Sequence, residues 1–265
     1  MKRSSLAQKL GDINELLKAT PELNNYPVET WERAHDFLKK EGFSSDKFSF
    51  MISQNPNLLT AKQEKIFNNI GQWRAFQFGN KATIKLLEQN PELLLIEHSK
   101  ELTKKFEMIK DFVGGGTNVY KLLLNSPDVL LQSVPVITDK INYLKDVMKA
   151  DPVEVYKSAA LSQEFITIKT RHVFLQRMGL YIVKKKVDPN EISKNPKLYQ
   201  ITDTSDRRFA TKVCFVTSDE FETFQELHMR ELETDYKRAK WSDYEVEEDN
   251  DEDEDGDDEI VKEKA

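Results

Sequence analysis

A proline recurs along this chain at a nearly constant interval, and this interval limits the fold more than any other feature. The series is Pro21, Pro56, Pro91, Pro127, Gln163 and Pro196, with successive steps of 35, 35, 36, 36 and 33 residues. The residue before each position is Thr, Asn or Ser, which are common helix N-caps, and proline suits the first position of a helical turn. A repeat of this length is typical of stacked helical units.

Apolar residues also recur around each position of the series. One stands four residues before it, and an apolar residue or pair follows two or three residues after it. The following residues are Leu23, Leu58–Leu59, Leu93–Leu94, Val129–Leu130, Phe165–Ile166 and Leu198–Tyr199. A helical apolar pattern comes next in most units, as at Leu102, Phe106 and Ile109. The sequence therefore predicts an all-α fold, a right-handed-type α-solenoid of about six helix–turn–helix repeats, each of about 35 residues.

Charge divides the chain into a basic body and an acidic tail. The formal net charge is −7, but residues 242–265 alone carry 14 acidic and 2 basic side chains. Subtracting these leaves 37 basic and 32 acidic residues in residues 1–241, so the body has a charge of +5 and the tail −12. A block of like charge with little to bury predicts a solvated, disordered tail. The four predicted regions are a basic segment over 1–11, the repeats over 12–210, an amphipathic capping or docking helix over 211–241, and the tail over 242–265.

The residues that catalysis, metal binding or membrane insertion would need are sparse. Cys214 is the only cysteine and lies between two apolar residues, so it is predicted to be a buried side chain rather than a nucleophile. The four histidines lie at least 56 residues apart, which excludes the short ligand spacings of zinc sites. No purely apolar run exceeds four residues, far below the ~20 of a membrane-spanning helix. We predict a non-enzymatic protein with no metal, no cofactor and no membrane segment.

The repeat resembles that of the mitochondrial transcription termination factor (mTERF) family. The shared features are Leu or Ile four residues before Asn/Ser-Pro, then x-Leu-Leu, a second helix and a closing glycine. Residues 171–180, with the sequence RHVFLQRMGL, are similar to that family's helix ending in Gly-Leu. The likeness covers roughly residues 12–210. Within the family, the added C-terminal helix and the acidic tail most resemble the fourth animal paralogue group.

This resemblance implies a mitochondrial matrix protein that binds ribosomal RNA. It also implies pairing with an RNA cytosine-5 methyltransferase of the NOP2/Sun class during assembly of the large mitoribosomal subunit, and hence a role in mitochondrial translation. Two other functions stay open: binding of double-stranded mitochondrial DNA to regulate or terminate transcription, and protein interaction without nucleic acid. We expect a monomer or heterodimer. The basic segment over 1–11 fits the remnant of a transit peptide, and equally a truncated start.

Basic residues of the second helices are the predicted nucleic-acid contacts, because cations spaced along a superhelix match a phosphate backbone. These contacts are Arg74, Lys104, Lys105, Lys140, Lys145, Lys169, Arg171, Arg177, Lys184 and Lys185, with Lys110 and Lys149 in the same helices. Arg171 and Arg177 lead this set, because a guanidinium binds phosphate in a bidentate manner. The aromatic residues Trp73, Phe76 and Phe78 have a spacing that favours a core role over a stacking platform for bases.

A further helix is predicted after the last repeat. Residues 217–220, with the sequence TSDE, form a capping box that would open it. The helix would cover the apolar end of the solenoid, present a docking surface to a partner protein, or do both. The predicted docking residues are Phe215, Phe221, Phe224 and Leu227.

The acidic tail is predicted to compete with nucleic acid for the basic body. A flexible tether gives its carboxylates a high local concentration. Deleting residues 242–265 should therefore tighten nonspecific nucleic-acid binding at low salt and have little effect at high salt, where both attractions are screened. Filter-binding titrations at two salt concentrations measure this. A truncated protein that melts several degrees lower, or loses a partner, would show instead that the tail is a structural or docking element.

Overall fold

The protein is helical in every region that its computed structural model describes, namely residues 13–96, 100–183 and 194–248. No strand occurs in these three ranges. The helices are α1 (Ile13–Ala19), α2 (Val28–Lys40), α3 (Phe48–Gln54), α4 (Gln63–Ala75), α5 (Asn80–Gln89), α6 (Lys100–Val113), α7 (Gly116–Asn125), α8 (Val134–Asn142), α9 (Pro152–Tyr156), α10 (Phe165–Arg177), α11 (Leu198–Thr202), α12 (Asp206–Arg208) and α13 (Ser218–Glu248). Two π-helical segments, Tyr143–Val147 and Phe209–Cys214, continue α8 and α12. Within the described ranges, no helix is long and apolar enough to cross a membrane.

Each of the first four prolines begins a short 3-10 turn between two α-helices. The turns are Pro21–Asn25, Pro56–Leu59, Pro91–Leu94 and Pro127–Leu131. The predicted helix–turn–helix unit is thereby confirmed. The residues before these four prolines stand at the N-cap position, as predicted, but none of their side chains makes a capping hydrogen bond to the turn. Asn90 instead donates from its side-chain nitrogen to the Leu86 carbonyl at 3.0 Å and so closes the preceding helix.

The apolar residues of these turns form the centre of one continuous core. Leu58, Leu59, Leu93 and Leu94 are buried there, as predicted, and pack with apolar residues of the second helices such as Ile109. A fully buried leucine contributes roughly 1.5–3 kcal/mol relative to an exposed one. Each unit therefore depends on its neighbours to cover its apolar face, as expected in a solenoid.

The fifth and sixth units depart from the predicted register. In the fifth unit, α9 ends at Tyr156, and the buried residues of the following turn are Ala160 and Leu161. The predicted pair Phe165–Ile166 is wrong for this role, since Phe165 already begins α10. In the sixth unit Leu198 is buried as predicted, but Tyr199 is 52% exposed. The reason is that this segment is α-helical. The residue three positions after Leu198 therefore faces the core, whereas Tyr199 faces away from it.

One buried polar residue in each of four second helices donates a hydrogen bond to the following unit. The bonds run from Asn69 Nδ2 to the Leu94 carbonyl (2.7 Å), from Lys105 Nζ to that of Leu130 (3.2 Å), from Lys140 Nζ to that of Leu161 (3.0 Å) and from Arg171 Nη1 to that of Ile201 (2.5 Å). We call Asn69, Lys105, Lys140 and Arg171 the inter-unit donors. A carbonyl at the end of a turn lacks a helical partner, and leaving it buried without a donor is costly. These bonds therefore link the units to one another from the second to the sixth.

The last helix covers the end of the solenoid. Phe221 of α13 is 1% exposed and packs its ring against those of Phe174 (5.1 Å between centroids) and Phe209 (5.0 Å). The predicted capping box is present: the Glu220 N–H donates to Thr217 Oγ1 at 3.2 Å, and the Thr217 N–H donates to Glu220 Oε2 at 2.7 Å. The helix continues to Glu248, past the predicted limit at residue 241. Residues 249–265 of the predicted tail and the segment over 1–11 lie outside the described residues.

Burial shifts the pKa values of Cys214 and His172. Cys214 is buried as predicted, and burial raises the pKa of its thiol to about 12. His172 is fully buried, with its Nδ1 atom 2.8 Å from the Tyr143 hydroxyl and its ring edge-on to that of Tyr181. Its Nε2 atom has no hydrogen-bond partner, and burial lowers the pKa of the imidazole to about 4. The histidine is therefore neutral in the folded protein at neutral pH.

Replacing an inter-unit donor should destabilise the fold, whereas replacing its exposed neighbour should not. Lys105→Met keeps the aliphatic stem but removes the ammonium that serves the Leu130 carbonyl. We expect the free energy of unfolding to fall by about 1–3 kcal/mol. Lys104→Met alters the adjacent, exposed side chain and should change it by less than about 0.5 kcal/mol. Urea unfolding of both variants provides the comparison, and equal effects would mean that the buried bond adds nothing.

The buried histidine predicts a loss of stability in mild acid. The unfolded chain protonates His172 near pH 6.5, whereas the folded protein resists protonation until about pH 4. The contribution of this residue is therefore complete above pH 6.5 and falls by roughly 3 kcal/mol as the pH drops to 4. The difference in unfolding free energy between the wild type and His172→Gln, measured across this range, isolates the effect from other titrating groups. A difference that does not vary with pH would contradict the assignment.

Candidate nucleic-acid interface

Three of the predicted nucleic-acid contacts are buried inter-unit donors. Lys105, Lys140 and Arg171 are only 7%, 3% and 4% exposed. Their long stems cross the interior, and their charged ends bind backbone carbonyls of the next unit. Burial also lowers the pKa of Lys140, since the charged ammonium is poorly solvated there. The prediction that these three residues contact phosphate is corrected, because their charged groups are already bound inside the fold.

Arg171 shows this correction most clearly, since it was one of the two leading candidates. Its guanidinium donates to the Ile201 carbonyl at 2.5 Å, to the Thr204 carbonyl at 2.8 Å and to Asp206 Oδ1 at 2.6 Å. It also lies over the Phe209 ring, 5.0 Å from the centroid. Arg171 therefore joins α10 to the sixth unit. Its ability to make several bonds in one plane serves the interior and not a phosphate.

Three further predicted contacts are accessible but have partners within the protein. Arg177 forms a bidentate pair with Glu231 of α13, at 3.1 and 2.6 Å, and this pairing raises the pKa of Arg177 and lowers that of Glu231. Arg74 donates to Asn80 Oδ1 at 3.0 Å and to the Glu41 carbonyl at 3.3 Å. Lys169 lies over the Phe165 ring, 4.0 Å from the centroid. Exposed ion pairs of this kind contribute little, so Arg74 and Arg177 can exchange them for other anions.

Of the four remaining predicted contacts, two are exposed and two lie outside the described residues. Lys104 and Lys145 are exposed on α6 and on the π-helical segment that follows α8. Lys184 and Lys185 lie outside the described residues. The predicted cations thus do not form one surface, because burial divides them into an interior set and an exposed set.

The exposed set contains a regular row. His35 is the buried residue of α2 that stands 34 positions before Asn69, so it occupies the place of a donor in the first unit. Five residues after His35 and after the donors in α4, α6 and α8 stand Lys40, Arg74, Lys110 and Lys145, which we call the cation row. In the α-helices α2, α4 and α6 a step of five residues turns about 140° around the axis, away from the buried side, and Lys145 is exposed on the π-helical segment that follows α8. Equivalent positions of stacked units lie side by side, so the row runs from the first unit to the fourth.

Electrostatic interactions within the protein stabilise the charges of three members of the cation row in the absence of nucleic acid. Lys40, Arg74 and Lys110 each lie in the last turn of a helix, where the helix dipole favours a positive charge. Lys110 pairs with Glu107 at 2.8 Å, and Arg74 lies 3.6 Å from a carboxylate oxygen of Glu41. Lys40 was not among the predicted contacts. The constant offset from a buried polar residue could have revealed it.

The predicted docking residues also divide between interior and surface. Phe221 belongs to the core, so its predicted contact with a partner is corrected. Phe224 is partly buried, with its ring 4.7 Å from that of Phe174 and 5.4 Å from the Arg177 guanidinium. Phe215 is 80% exposed and has a left-handed backbone with φ of 60°, and Leu227 is also exposed. The accessible docking candidates are therefore Phe215 and Leu227.

No group of three or more His, Cys, Asp or Glu side chains in the described ranges is arranged to hold a metal ion. The described histidines each serve the interior instead. His35 lies 3.1 Å from Ser45 Oγ, and His228 stacks on the Phe224 ring with 5.6 Å between centroids.

Comparison with known proteins places the chain in a family. Residues 7–210 match the mTERF family profile, which covers the predicted and observed repeats. The chain is also 22% identical, over 177 residues, to mitochondrial transcription termination factor 4 of the mouse, Mus musculus, which confirms the predicted resemblance to the fourth paralogue. The aligned region covers 66% of this chain and 51% of the relative, so the chain spans about half the length of the mouse protein. The chain belongs to the mTERF family.

Proposed function

We propose that this protein is a non-enzymatic mitochondrial factor that binds nucleic acid through the cation row. The observation that carries the proposal is the recurrence of a solvent-accessible cation at one position in four consecutive units, exposed in three of them and partly exposed at Lys110. Cations at a regular spacing along a solenoid suit a polyanion, whereas a protein partner rarely requires such regularity. The mitochondrial location rests on the name of the mouse relative.

The finer proposal is that the nucleic acid is ribosomal RNA. On this proposal the protein recruits an RNA cytosine-5 methyltransferase of the NOP2/Sun class in the mitochondrial matrix, for assembly of the large mitoribosomal subunit. The resemblance to the fourth paralogue supports it, and the exposed Phe215 and Leu227 beside and on α13 offer a surface for the enzyme. Phe215 stands in the left-handed C-cap position of the π-helical segment before α13 and is 80% exposed, so its ring is accessible to such a partner.

Binding of double-stranded mitochondrial DNA is the second candidate, because the mouse relative is named a transcription termination factor. The cation row can bind the phosphate backbone of RNA or of DNA, so it does not distinguish the two candidate functions. Crosslinking in mitochondria followed by sequencing of the bound nucleic acid does separate them. Recovery of ribosomal RNA supports the first candidate, and recovery of a mitochondrial DNA segment supports the second.

Binding should fall steeply with salt and should depend on the cation row. If about five phosphates are neutralised, the slope of log K against log salt should be near −4. The row variant combines Lys40→Gln, Arg74→Gln, Lys110→Gln and Lys145→Gln, and it should bind more weakly, with a slope reduced by roughly 3. Filter titrations with a ribosomal RNA stem at several salt concentrations measure both quantities.

A control variant removes the same number of charges elsewhere. It combines Lys47→Gln, Lys81→Gln, Lys85→Gln and Lys157→Gln, all exposed residues outside the second helices. We expect its slope to stay close to that of the wild type. Equal losses in both variants would show that only the net charge matters, and salt-independent binding would reject a phosphate-binding surface altogether.

A further inference from the structure

An open groove lies where the second, third and fourth units meet, beside the cation row. Its volume is about 400 Å³, within the range of small-ligand sites. Three partly buried aromatic rings line it, those of Phe76, Phe78 and Tyr120, together with Lys110 and Thr117. We call this site the aromatic groove. Its lining begins with Ala75, the residue directly after Arg74.

The rings are arranged around the space rather than packed into one stack. Phe76 stacks on the buried Phe106 with centroids 4.0 Å apart and 13° between the planes, which holds it rigidly from behind. The Phe78 ring is tilted by 45° to that of Phe76 and by 47° to that of Tyr120, at 6.2 and 5.5 Å. The Phe78 and Tyr120 rings are only partly buried, so part of each ring is accessible to another flat group. The aromatic cluster thus has a core side, as the sequence predicts, and also an open side.

The charges around the groove select among flat ligands. Lys110 lines the groove, and Arg74, the preceding member of the cation row, stands directly before the lining residue Ala75 in the sequence. The carboxylate of Glu107 is paired with Lys110 through an exposed ion pair that an incoming anion can replace. A flat aromatic group joined to a phosphate satisfies both the rings and the two cations. A nucleotide has this composition, whereas an aromatic side chain of a protein lacks the anion.

A strained residue lies at the edge of the groove. Gln77 has a φ of 59°, in the left-handed region that non-glycine residues seldom adopt, and its N–H donates to the Arg74 carbonyl at 3.1 Å. A glycine would fit this turn without strain. The chain instead holds a carboxamide at the groove, a group that can both donate and accept hydrogen bonds with the edge of a base.

We propose that the aromatic groove is a subsite for one unpaired nucleotide of the bound nucleic acid. The base stacks against Phe78 and Tyr120, and its phosphates lie against Arg74 and Lys110. This proposal rests on the proposed nucleic-acid binding and adds to it a preference for backbone that carries an unpaired base. The cation row then binds the paired regions on either side.

The test compares three RNA duplexes of the same sequence: fully paired, with a single bulged adenosine, and with an abasic bulge. The abasic duplex keeps the bend and the phosphates but lacks the base. Stacking on aromatic side chains predicts that the bulged duplex binds about 5- to 150-fold more tightly than the abasic one. Placing 2-aminopurine in the bulge adds a direct readout, because stacking on the groove should quench its fluorescence.

The groove variant combines Phe78→Leu and Tyr120→Leu, and the matched control combines Phe67→Leu and Tyr199→Leu, whose exposed rings lie outside the groove. The groove variant should lose the preference for the base while binding the fully paired duplex as the wild type does, which also shows that it is folded. The control should keep the preference.

Three results would overturn the proposal. One is equal binding of the bulged and abasic duplexes by the wild type, which needs no variant. Another is a base preference that survives in the groove variant. In both cases the paired duplex still binds, so the proposed nucleic-acid binding stands. Failure of the wild type to bind any of the three duplexes at low salt would reject the proposed function as well.

Discussion

The hydrogen bonds from the inter-unit donors are the interaction on which the rest of the structure depends. In the third and fourth units, the 3-10 turn contains a carbonyl that its own helices do not satisfy, and the turn is buried because its leucines form the core. A donor from the preceding unit meets this requirement, as Lys105 does for Leu130. Apolar packing alone would allow adjacent units to slide, whereas a bond to one particular carbonyl sets the stacking position. The regular stacking of the units, and with it the cation row, follows from these bonds.

The same residue type therefore has two roles in one helix. Lys105 and Lys110 lie in α6, yet the first bonds to the next unit and the second lies at the rim of the aromatic groove. The difference is angular: five residues turn the side chain from the interior to the surface. Arginine shows the same division at a step of six residues, since Arg171 is buried in α10 and Arg177 is exposed at its end. Charge alone does not identify a phosphate contact in a solenoid of this kind.

Much of the fold was predictable because the residues that mark the turns between helices are close together in the sequence. A proline begins each of the first four turns, and the apolar residues after it are the core residues of those turns. The fifth unit was misplaced because Gln163 continues the spacing by coincidence. The unit is shorter, with Leu161 only 31 residues after Leu130. The shorter fifth unit could have been recognised only from the spacing of the inter-unit donors, because Arg171 likewise stands 31 residues after Lys140.

The candidate site was less predictable than the fold. A lysine in a sequence is expected at the surface, and nothing local marks Lys105 or Lys140 as buried. The aromatic groove was also hidden, because its walls come from three units and its rings serve the core as well. The spacing of Asn69, Lys105 and Lys140, with steps of 36 and 35 residues, was the one available signal of a repeated buried role.

The cations divide into a buried set that links the units and an accessible set that we propose binds nucleic acid. Lysine acetylation by a small reagent, followed by mass spectrometry with and without a ribosomal RNA stem, tests it most directly. We expect Lys105 and Lys140 to react slowly in both conditions, and Lys40, Lys110 and Lys145 to react rapidly and to be protected by RNA. Rapid reaction of Lys105 and Lys140 in the folded protein, or no protection of the cation row by bound RNA, would contradict it.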